Sequence, residues 1–496
     1  MTHYTPDRPH RLSKSRFLSG LQCQKRLYLE IHDPQLATEP DDRRQSILDM
    51  GQEVGQIARR CFPDGVLVAE THRQIPAALE KTAALVADPN VPAIFEGAFQ
   101  CDGTLIRVDV LERVGQTWRL IEVKASARVK SVHLDDLAVQ TYVIRGDGLE
   151  VSGTLLMHVN RQYTYPGGDM ELEKLFVMED LTQEVEERIP GIPARLEQMR
   201  STIGHSQVPD VEPDGHCHSP YTCPFWAHCT ASKPARWIYH LPGDNRIVHR
   251  LRKQGIETID DIPPQVSLTR VQQCVRDNVE WISPRLADAL QSVHYPVHHL
   301  DFETFMPAIP LYARTRPYQL LPMQWSNHTE MEDGSLRHTA RLCMAQHDPR
   351  EEIAVSVLES VGEEGSICVY SDSERYILKA LADAVPHLRR DLLRVVQRLW
   401  DLLPVMQTHY YHPDFHGLFS LKSVLPVLVP SLDYGDLEIR DGATASTMYQ
   451  KVMFVETDWV ESQRVASALH AYCARDTLGM VELRRALSRK AQSADA

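Results

Sequence analysis

Asp109 in IRVDVL is followed thirteen positions later by Glu122 and, two further on, by Lys124 in LIEVKA. Residues two apart in a strand share a face, so Glu122 and Lys124 point the same way, and Asp109 joins them if the two strands pair. Burying two carboxylates with one ammonium is costly unless the group has a task. Bound Mg²⁺ or Mn²⁺ would neutralise the carboxylates, activate water and stabilise charge on a phosphoryl group, with Lys124 orienting the nucleophile or balancing charge. Glu96 in IFEGAF can add a carboxylate from an earlier strand, and Gln140 and Tyr142 follow on a helix able to pack beside the sheet. Taken alone, the same pattern is that of an exposed hairpin of alternating charge.

A second set is made of sulfur. DGHCHSPYTCPFWAHC holds Cys217, Cys223 and Cys229, each separated by five residues. Clustered thiols in a reducing compartment point to metal rather than to disulfides. Zinc and iron–sulfur both accept such ligands. His216, His218 and His228 are close and suit zinc as a fourth partner, whereas Cys23 is remote and lies in the basic N-terminal segment. Cys61, Cys101, Cys274, Cys343, Cys368 and Cys473 read as small buried hydrophobes.

The third set is spread over the C-terminal half. HHLDFETF puts Asp301 and Glu303 on one strand face, SICVYSDSERYILKAL brings Asp372 and Glu374 to a strand–helix junction, and RLWDLLPVM offers Asp401. ALHAYCARDTLGMVEL is helical, with Tyr472 and Asp476 four apart on one face. Carboxylates converging from such distances can bind two divalent ions for in-line attack on a phosphodiester, with the tyrosine orienting water. Each residue alone has an ordinary structural reading as a strand-end acid or a helical pair.

The elements that must position these groups are legible from periodicity. AIFEGAFQ, TLIRVDVLERV and TWRLIEVKA read as strands turning at Asp102-Gly103 and near Gly115; HLDDLAVQTYVIR is helical and VSGTLLMHVN a further strand. Residues 1–60 look helical around Phe17, Leu18, Leu21, Leu27 and Leu29, and continue into MGQEVGQIARRCF. NRIVHRLRKQ, stopped by Gly255, followed by IETIDDIP, forms a helix-hairpin-helix-like pattern or a helical linker. The expected divisions are 10–232, a helical linker at 233–292, and 293–488, an α/β chain overall.

At 496 residues, several domains fit. No apolar run reaches the roughly 18 residues of a membrane span, and the first residues lack a secretory leader's apolar stretch, so a cytoplasmic protein without a membrane partner is expected. The balance of 53 basic against 67 acidic residues, a net charge of −14, argues against coating nucleic acid by bulk charge but not against clustered metal-binding carboxylates. Local basic stripes, Arg8, Arg11, Lys14, Arg16, Lys25 and Arg26, then Lys233, Arg236, Arg246, Arg250, Arg252 and Lys253, could follow phosphates or form solvated faces. No G-x4-GK[ST] loop is present.

The order of early helix with glycine, Glu96-Gly97, strand with Asp109, strand with Glu122-Val123-Lys124, then helix with Gln140 and Tyr142 resembles the PD-(D/E)XK nuclease core of the RecB family, over roughly residues 10–232. Many such relatives carry a metal-contacting histidine in the early helix; Gly55 stands there in MGQEVGQIA. Iron–sulfur members of that superfamily take one cysteine before the core and three after it. The resemblance therefore implies a [4Fe-4S] cluster on Cys23, Cys217, Cys223 and Cys229, although the C-x5-C-x5-C spacing departs from the commoner C-x2-C-x5-C. The third set is similar to the DEDD exonuclease branch of the ribonuclease H-like fold, with Glu374 or Asp372 where relatives use Asp. It also looks like an uncharacterised bacterial family that joins such a domain to a RecB-type nuclease, with LDFETF, RTRPYQ, YYHP, SLKSVLP and YCARDT as recurring features.

The resemblance implies a metal-dependent exonuclease of DNA repair, processing or defence. Asp109, Glu122, Asp301, Glu303, Glu374 and Asp476 would hold Mg²⁺ or Mn²⁺, helped by the Val123 carbonyl, while Glu96, Lys124, Gln140, Tyr142 and Tyr472 assist. DNA is expected ahead of RNA, and a helicase partner is one option. Two alternatives stand beside it: a catalytically impaired nucleic-acid-binding protein and a zinc-stabilised interaction protein.

Overall fold

Alternating apolar residues dictate most of the strands in the computed structural model, which describes residues 12–39, 42–455 and 458–494. Arg8 and Arg11 of the first basic stripe lie outside the described residues. The protein is a mixed α/β chain of two compact units. The first extends to Ser232 and includes Pro307–Gln319; the second comprises Lys233–Met306 and the chain from Leu320 onward.

Unit one is built on β1 (Leu12–Ser13), β2 (Val66–Leu67), β3 (Ala93–Cys101), β4 (Thr104–Val114), β5 (Thr117–Lys124), β6 (Val151–Val159) and β7 (Phe176–Asp180). The sheet order is β2-β3-β4-β5-β6-β7, with β1 beside β4. β3, β4 and β5 form an antiparallel meander, and β6 returns parallel to β5 after the helix Ser131–Gly146. The first hairpin is tight because Asp102 and Gly103 both adopt positive φ, 47° and 67°, the twist-matching form for a two-residue turn.

Ile106 and Val108 pack into the apolar layer under the helix Ser131–Gly146, whereas Val110 packs into the layer that contains Val54 and Ala58 of the helix Asp42–Arg59. The alternation thus changes face beside Asp109. Opposite, Glu96 takes φ 56°. Such local irregularities re-aim side chains, and here they bring Asp109 and Val110 together to one cleft.

Unit two contains β8 (Trp281–Ile282), β9 (Val297–Phe305), β10 (Leu321–Glu330), β11 (Leu336–Leu342), β12 (Ser366–Val369), β13 (Leu399–Asp401) and β14 (Tyr410–Tyr411). Its main sheet runs β11-β10-β9-β12-β13, antiparallel across the first three and parallel from β9 to β13. Leu300, Phe302 and Trp325 pack with Ile353, Val357, Leu378 and Leu392 from the helices that follow β11 and β12. The other face meets the helix Trp459–Ala494, to which Gln324 and Ser326 hydrogen-bond at Leu469 O and Thr477 Oγ1, at 3.1 and 2.8 Å. Covered on both sides, β9 shows no polar-out alternation.

Two expected divisions differ from what forms. Residues 233–292 are not a free-standing linker: they belong to unit two, where β8 pairs with β14. After the helix Asn245–Lys253, IETIDDIP makes only a single 3₁₀ turn, Ile259–Asp261, in place of a second helix. The excursion Pro307–Gln319, expected inside the third region, belongs to unit one. There Arg314 N donates to Tyr165 O (2.7 Å), Tyr165 N to Thr315 O (2.9 Å), and Tyr318 OH to Ala125 O (2.6 Å). Tertiary pairing of this kind leaves no local periodicity to read.

Gly365 precedes β12 with φ 82°, and a Cβ there would lie 1.9 Å from Pro296 O. Gly365→Ala combines left-handed strain with a backbone clash. It is expected to cost about 2–4 kcal/mol, read as a lower thermal unfolding midpoint.

Candidate functional site

In unit one, two strands and two helices deliver the polar groups to one place. Glu122 is 1% exposed on β5 and accepts four hydrogen bonds from three donors: Lys14 Nζ at 3.0 and 3.1 Å, Lys124 Nζ at 2.5 Å, and Gln140 Nε2 at 2.8 Å. Asp136, four residues before Gln140 on the same helix, accepts from Lys124 at 2.9 Å and Gln140 at 2.9 Å, with Lys14 3.7 Å away. Asp109 on β4 accepts from Val123 N at 2.8 Å. A cleft of about 620 Å³ is lined by Lys14, Glu96, Asp109, Glu122, Val123, Lys124 and by Gly51, Gly55 and Arg59 of the helix Asp42–Arg59.

Three buried carboxylates therefore meet two ammonium groups. Burial, which alone would raise the pKa of Glu122, is outweighed by Lys124 and Lys14, so Glu122 is held below the ordinary carboxylate range. Burial and then Glu122 push Asp109 up to about 7. Burial and Glu122 also raise Asp136. Lys124 stays charged because its carboxylate neighbours override its desolvation.

The sequence did not single out Asp136 as a site residue, nor Lys14 beyond its basic stripe. The i, i+4 relation of Asp136 to Gln140 was the available signal. Two assigned residues stand apart from Glu122. Tyr142 OH donates to Asp102 at 2.6 Å at the first hairpin, since two positions along a helix from Gln140 is a different face. Glu96 reaches the cleft wall but pairs with Arg59 at 2.8 Å and lies 3.8 Å from Arg107. A Cβ added to Gly55 would meet nothing within 4 Å, so the position expected for a relative's histidine opens onto the cleft.

Also in unit one, Cys23, Cys217, Cys223 and Cys229 line one small cavity with Lys25, Arg26, Phe225 and Trp226. Cys23 ends the helix Lys14–Gln22, and Gln22 Nε2 donates to His216 O (2.8 Å) and Tyr221 O (2.6 Å), tying that helix to the cysteine loop. Burial raises the thiols of Cys217, Cys223 and Cys229, while Arg26 acts on Cys223 and Lys25 on Cys229 to lower them. Among the described residues, the sets of three or more donors all within 4.8 Å of one another are Cys343, His347, Glu352 and Asp301, Glu303, Cys473. His218 packs against Trp226, ring centroids 4.5 Å apart, and His228 is exposed.

In unit two, β9 supplies Asp301 and Glu303. The helix Trp459–Ala494 supplies Tyr472, Cys473 and Asp476, and the first turn of the helix Ser373–Ala384 supplies Glu374. Donor atoms of Asp301, Glu303 and Cys473 lie within 4.8 Å of one another. Lys422 Nζ donates to Tyr472 OH at 2.5 Å and lies over the rings of Tyr472 and Tyr434, 4.6 and 5.7 Å from their centroids. Tyr434 OH donates to Asp476 Oδ1. Gly479 permits the close approach of the helix Leu421–Leu428 that carries Lys422, since a Cβ there would lie 2.6 Å from Leu425 Cδ2. Lys422 and Tyr434 were not assigned as site residues from sequence; SLKSVLP marked the segment but not the lysine's role.

This pocket carries more negative than positive charge. Burial, Asp476 and Glu303 raise Asp301 well above the ordinary range. Burial and Asp476 push Glu303 up to about 8, and burial with Asp401 pushes Glu374 up to about 7. Of the two acids at the strand–helix junction, Glu374 is the buried one; Asp372 is 84% exposed and pairs with Arg375 at 3.0 Å.

A family described as a domain of unknown function (DUF2779) matches residues 298–420. That span holds Asp301, Glu303 and Glu374 and stops short of Lys422, Tyr472 and Asp476. No curated protein matches the chain. No helix among the described residues is long and apolar enough to cross a membrane.

The raised Glu303 pKa makes folding take up a proton that the unfolded chain has already released. Stability is fully retained below the unfolded carboxyl pKa and is lost as pH rises from about 4.5 toward about 8. In chelator, Glu303→Gln is expected to stabilise the protein by roughly 2–4 kcal/mol near pH 8, with the gain vanishing toward about pH 5. Thermal melts at both pH values measure it; an equal shift at both would contradict the assignment.

Proposed function

We propose that this chain is a divalent-metal-dependent nuclease that hydrolyses nucleic-acid phosphodiester bonds, DNA being the expected substrate, through sites in both units. The observation that carries the reading is the buried, negatively overloaded pocket of Asp301, Glu303, Glu374 and Asp476. Such a group is relieved by protons or by cations, and carboxylate oxygens are the ligands Mg²⁺ and Mn²⁺ prefer. Sheet order β11-β10-β9-β12-β13, with the first two acids on the central strand, supports a ribonuclease H-like fold. The β3–β4–β5 meander, crossover helix and parallel β6 support a PD-(D/E)XK core in unit one.

A bound ion would supply Lewis-acid activation of water and stabilise charge on the phosphate. Tyr472, positioned by Lys422, would orient the attacking water, and Lys422 would offset charge that develops on the phosphate. In unit one, Lys124 and Gln140 hold Glu122 in place, while Asp109 lines the cleft that a strand could enter.

For the sulfur set, we propose a [4Fe-4S] cluster. Four cysteines lining one cavity supply its ligands, and the flanking Lys25 and Arg26 suit an anionic cluster. Its role would be to fasten the N-terminal helix to the loop after the core.

A second reading has its own support in unit one. Lys14 and Lys124 already engage Glu122, and Gly55 leaves the early helix without the expected histidine. This favours a nucleic-acid-binding role for that cleft, with hydrolysis residing in unit two.

Cleavage of end-labelled single- and double-stranded DNA and RNA, with Mg²⁺ or Mn²⁺, tests these assignments. Asp301→Asn is expected to remove the share of cleavage due to unit two, and its combination with Lys124→Ala to reduce the rate at least about 100-fold. Lys124→Ala would remove the share due to unit one if that unit is catalytic, and would change only salt-dependent binding if it is not. Activity retained in both variants and in their combination would overturn the nuclease reading. Separately, anaerobically purified protein is expected to be brown and to contain iron, and Cys23→Ala to lose both. Colourless, iron-free wild-type protein would refute the cluster.

A further inference from the structure

The second donor set, Cys343, His347 and Glu352, lies outside both proposed catalytic sites. Cys343 follows β11 directly and is 1% exposed. Its backbone is fixed twice: Cys343 N donates to Met323 O at 2.9 Å, and Tyr449 OH donates to Cys343 O at 2.8 Å. Glu352 stands in the first turn of the helix Arg350–Val361. His347 lies on the connecting loop, its side chain 59% exposed, and the adjacent Gln346 donates to Met453 O at 3.2 Å.

A thiol and an imidazole converge on one carboxylate oxygen, bringing three chemically different ligand atoms together. Cys343 Sγ lies 3.5 Å and His347 Nε2 lies 3.1 Å from Glu352 Oε2. Bonds of about 2.3 Å to sulfur and about 2.0–2.1 Å to nitrogen and oxygen, at tetrahedral angles, give S···O and N···O edges of about 3.5 and 3.3 Å. The observed separations match those edges. The other oxygen, Oε1, accepts from Arg341 Nε at 2.7 Å. Arg341 thereby turns Oε2 toward the thiol and the imidazole, the outer contact that commonly orients a ligating carboxylate.

We propose that Cys343, His347 and Glu352 form a zinc site, completed by water at the exposed side, that clamps the 343–349 loop between β11 and the following helix. The thiolate–imidazole–carboxylate set selects a borderline ion such as Zn²⁺ over Mg²⁺ or Ca²⁺. On binding, the Cys343 thiol gives up its proton to solvent and the sulfur becomes the metal-bound thiolate.

The test counts zinc in the full-length protein after growth with added zinc and dialysis against a weak chelator. Cys343→Ser and His347→Ala are each expected to lose about one zinc per chain relative to the parent, whereas Cys217→Ser keeps that equivalent. His347 is exposed, so its replacement reports on binding even if Cys343→Ser folds poorly. A parent with no retained zinc, or a His347→Ala protein with unchanged zinc, would overturn the site.

Discussion

Buried negative charge that the chain does not itself neutralise is the constraint around which both units are arranged. A carboxylate removed from water must find a cation, a set of donors or a proton. Unit one answers with ammonium groups: Lys14 and Lys124 bracket Glu122 and Asp136, and Gln140 bridges the same two acids. Unit two answers differently. Lys422 is shared among Asp301, Glu303 and Asp476, and the remaining deficit appears as carboxyl pKa values raised above their ordinary range. Retaining such an arrangement costs stability, which is the usual signature of a site shaped for something other than folding.

The surrounding architecture serves to hold like charges together against their repulsion. β9 is flanked by strands and covered on both faces, which holds Asp301 and Glu303 beside one another. The 36-residue C-terminal helix carries Tyr472 and Asp476 on one face, and Gly479 lets the Lys422 helix come close enough to reach them. In unit one, the change of face at Asp109 does comparable work, because a regular strand would have sent Asp109 and Val110 to opposite layers.

Strands and long helices were legible because their periodicity is local: β3, β4, β5, β6 and β9 and the helix Ser131–Gly146 coincide with the segments read from TLIRVDVLERV, HLDDLAVQTYVIR, HHLDFETF and their neighbours. The acids in LDFETF, LIEVKA and YCARDT were legible because carboxylates inside apolar runs are conspicuous. Their neutralising partners were not. Lys14, Lys422 and Tyr434 act across 108, 50 and 42 positions, on Glu122, Tyr472 and Asp476 in turn, and Lys124 reaches its second acid, Asp136, across 12. Tyr142 was misplaced because a helix turns about 100° per residue, so Gln140 and Tyr142 face different ways. The excursion Pro307–Gln319 was misassigned because backbone pairing to Tyr165 has no sequence period.

The N-terminal helix joins two of these stories within unit one. Lys14 and Cys23 stand at opposite ends of the helix Lys14–Gln22, one on Glu122 and the other among the three later cysteines. The same helix is held by Gln22 to the backbone of His216 and Tyr221. Fastening Cys23 to Cys217, Cys223 and Cys229 would therefore do more than close the ends of the unit. It would fix the rotation and depth of the helix that delivers one of the two ammonium groups on which Glu122 depends. Loosening the sulfur end would withdraw Lys14, leave Lys124 alone against Asp109, Glu122 and Asp136, and move that cleft toward the negatively overloaded condition already seen around Asp301.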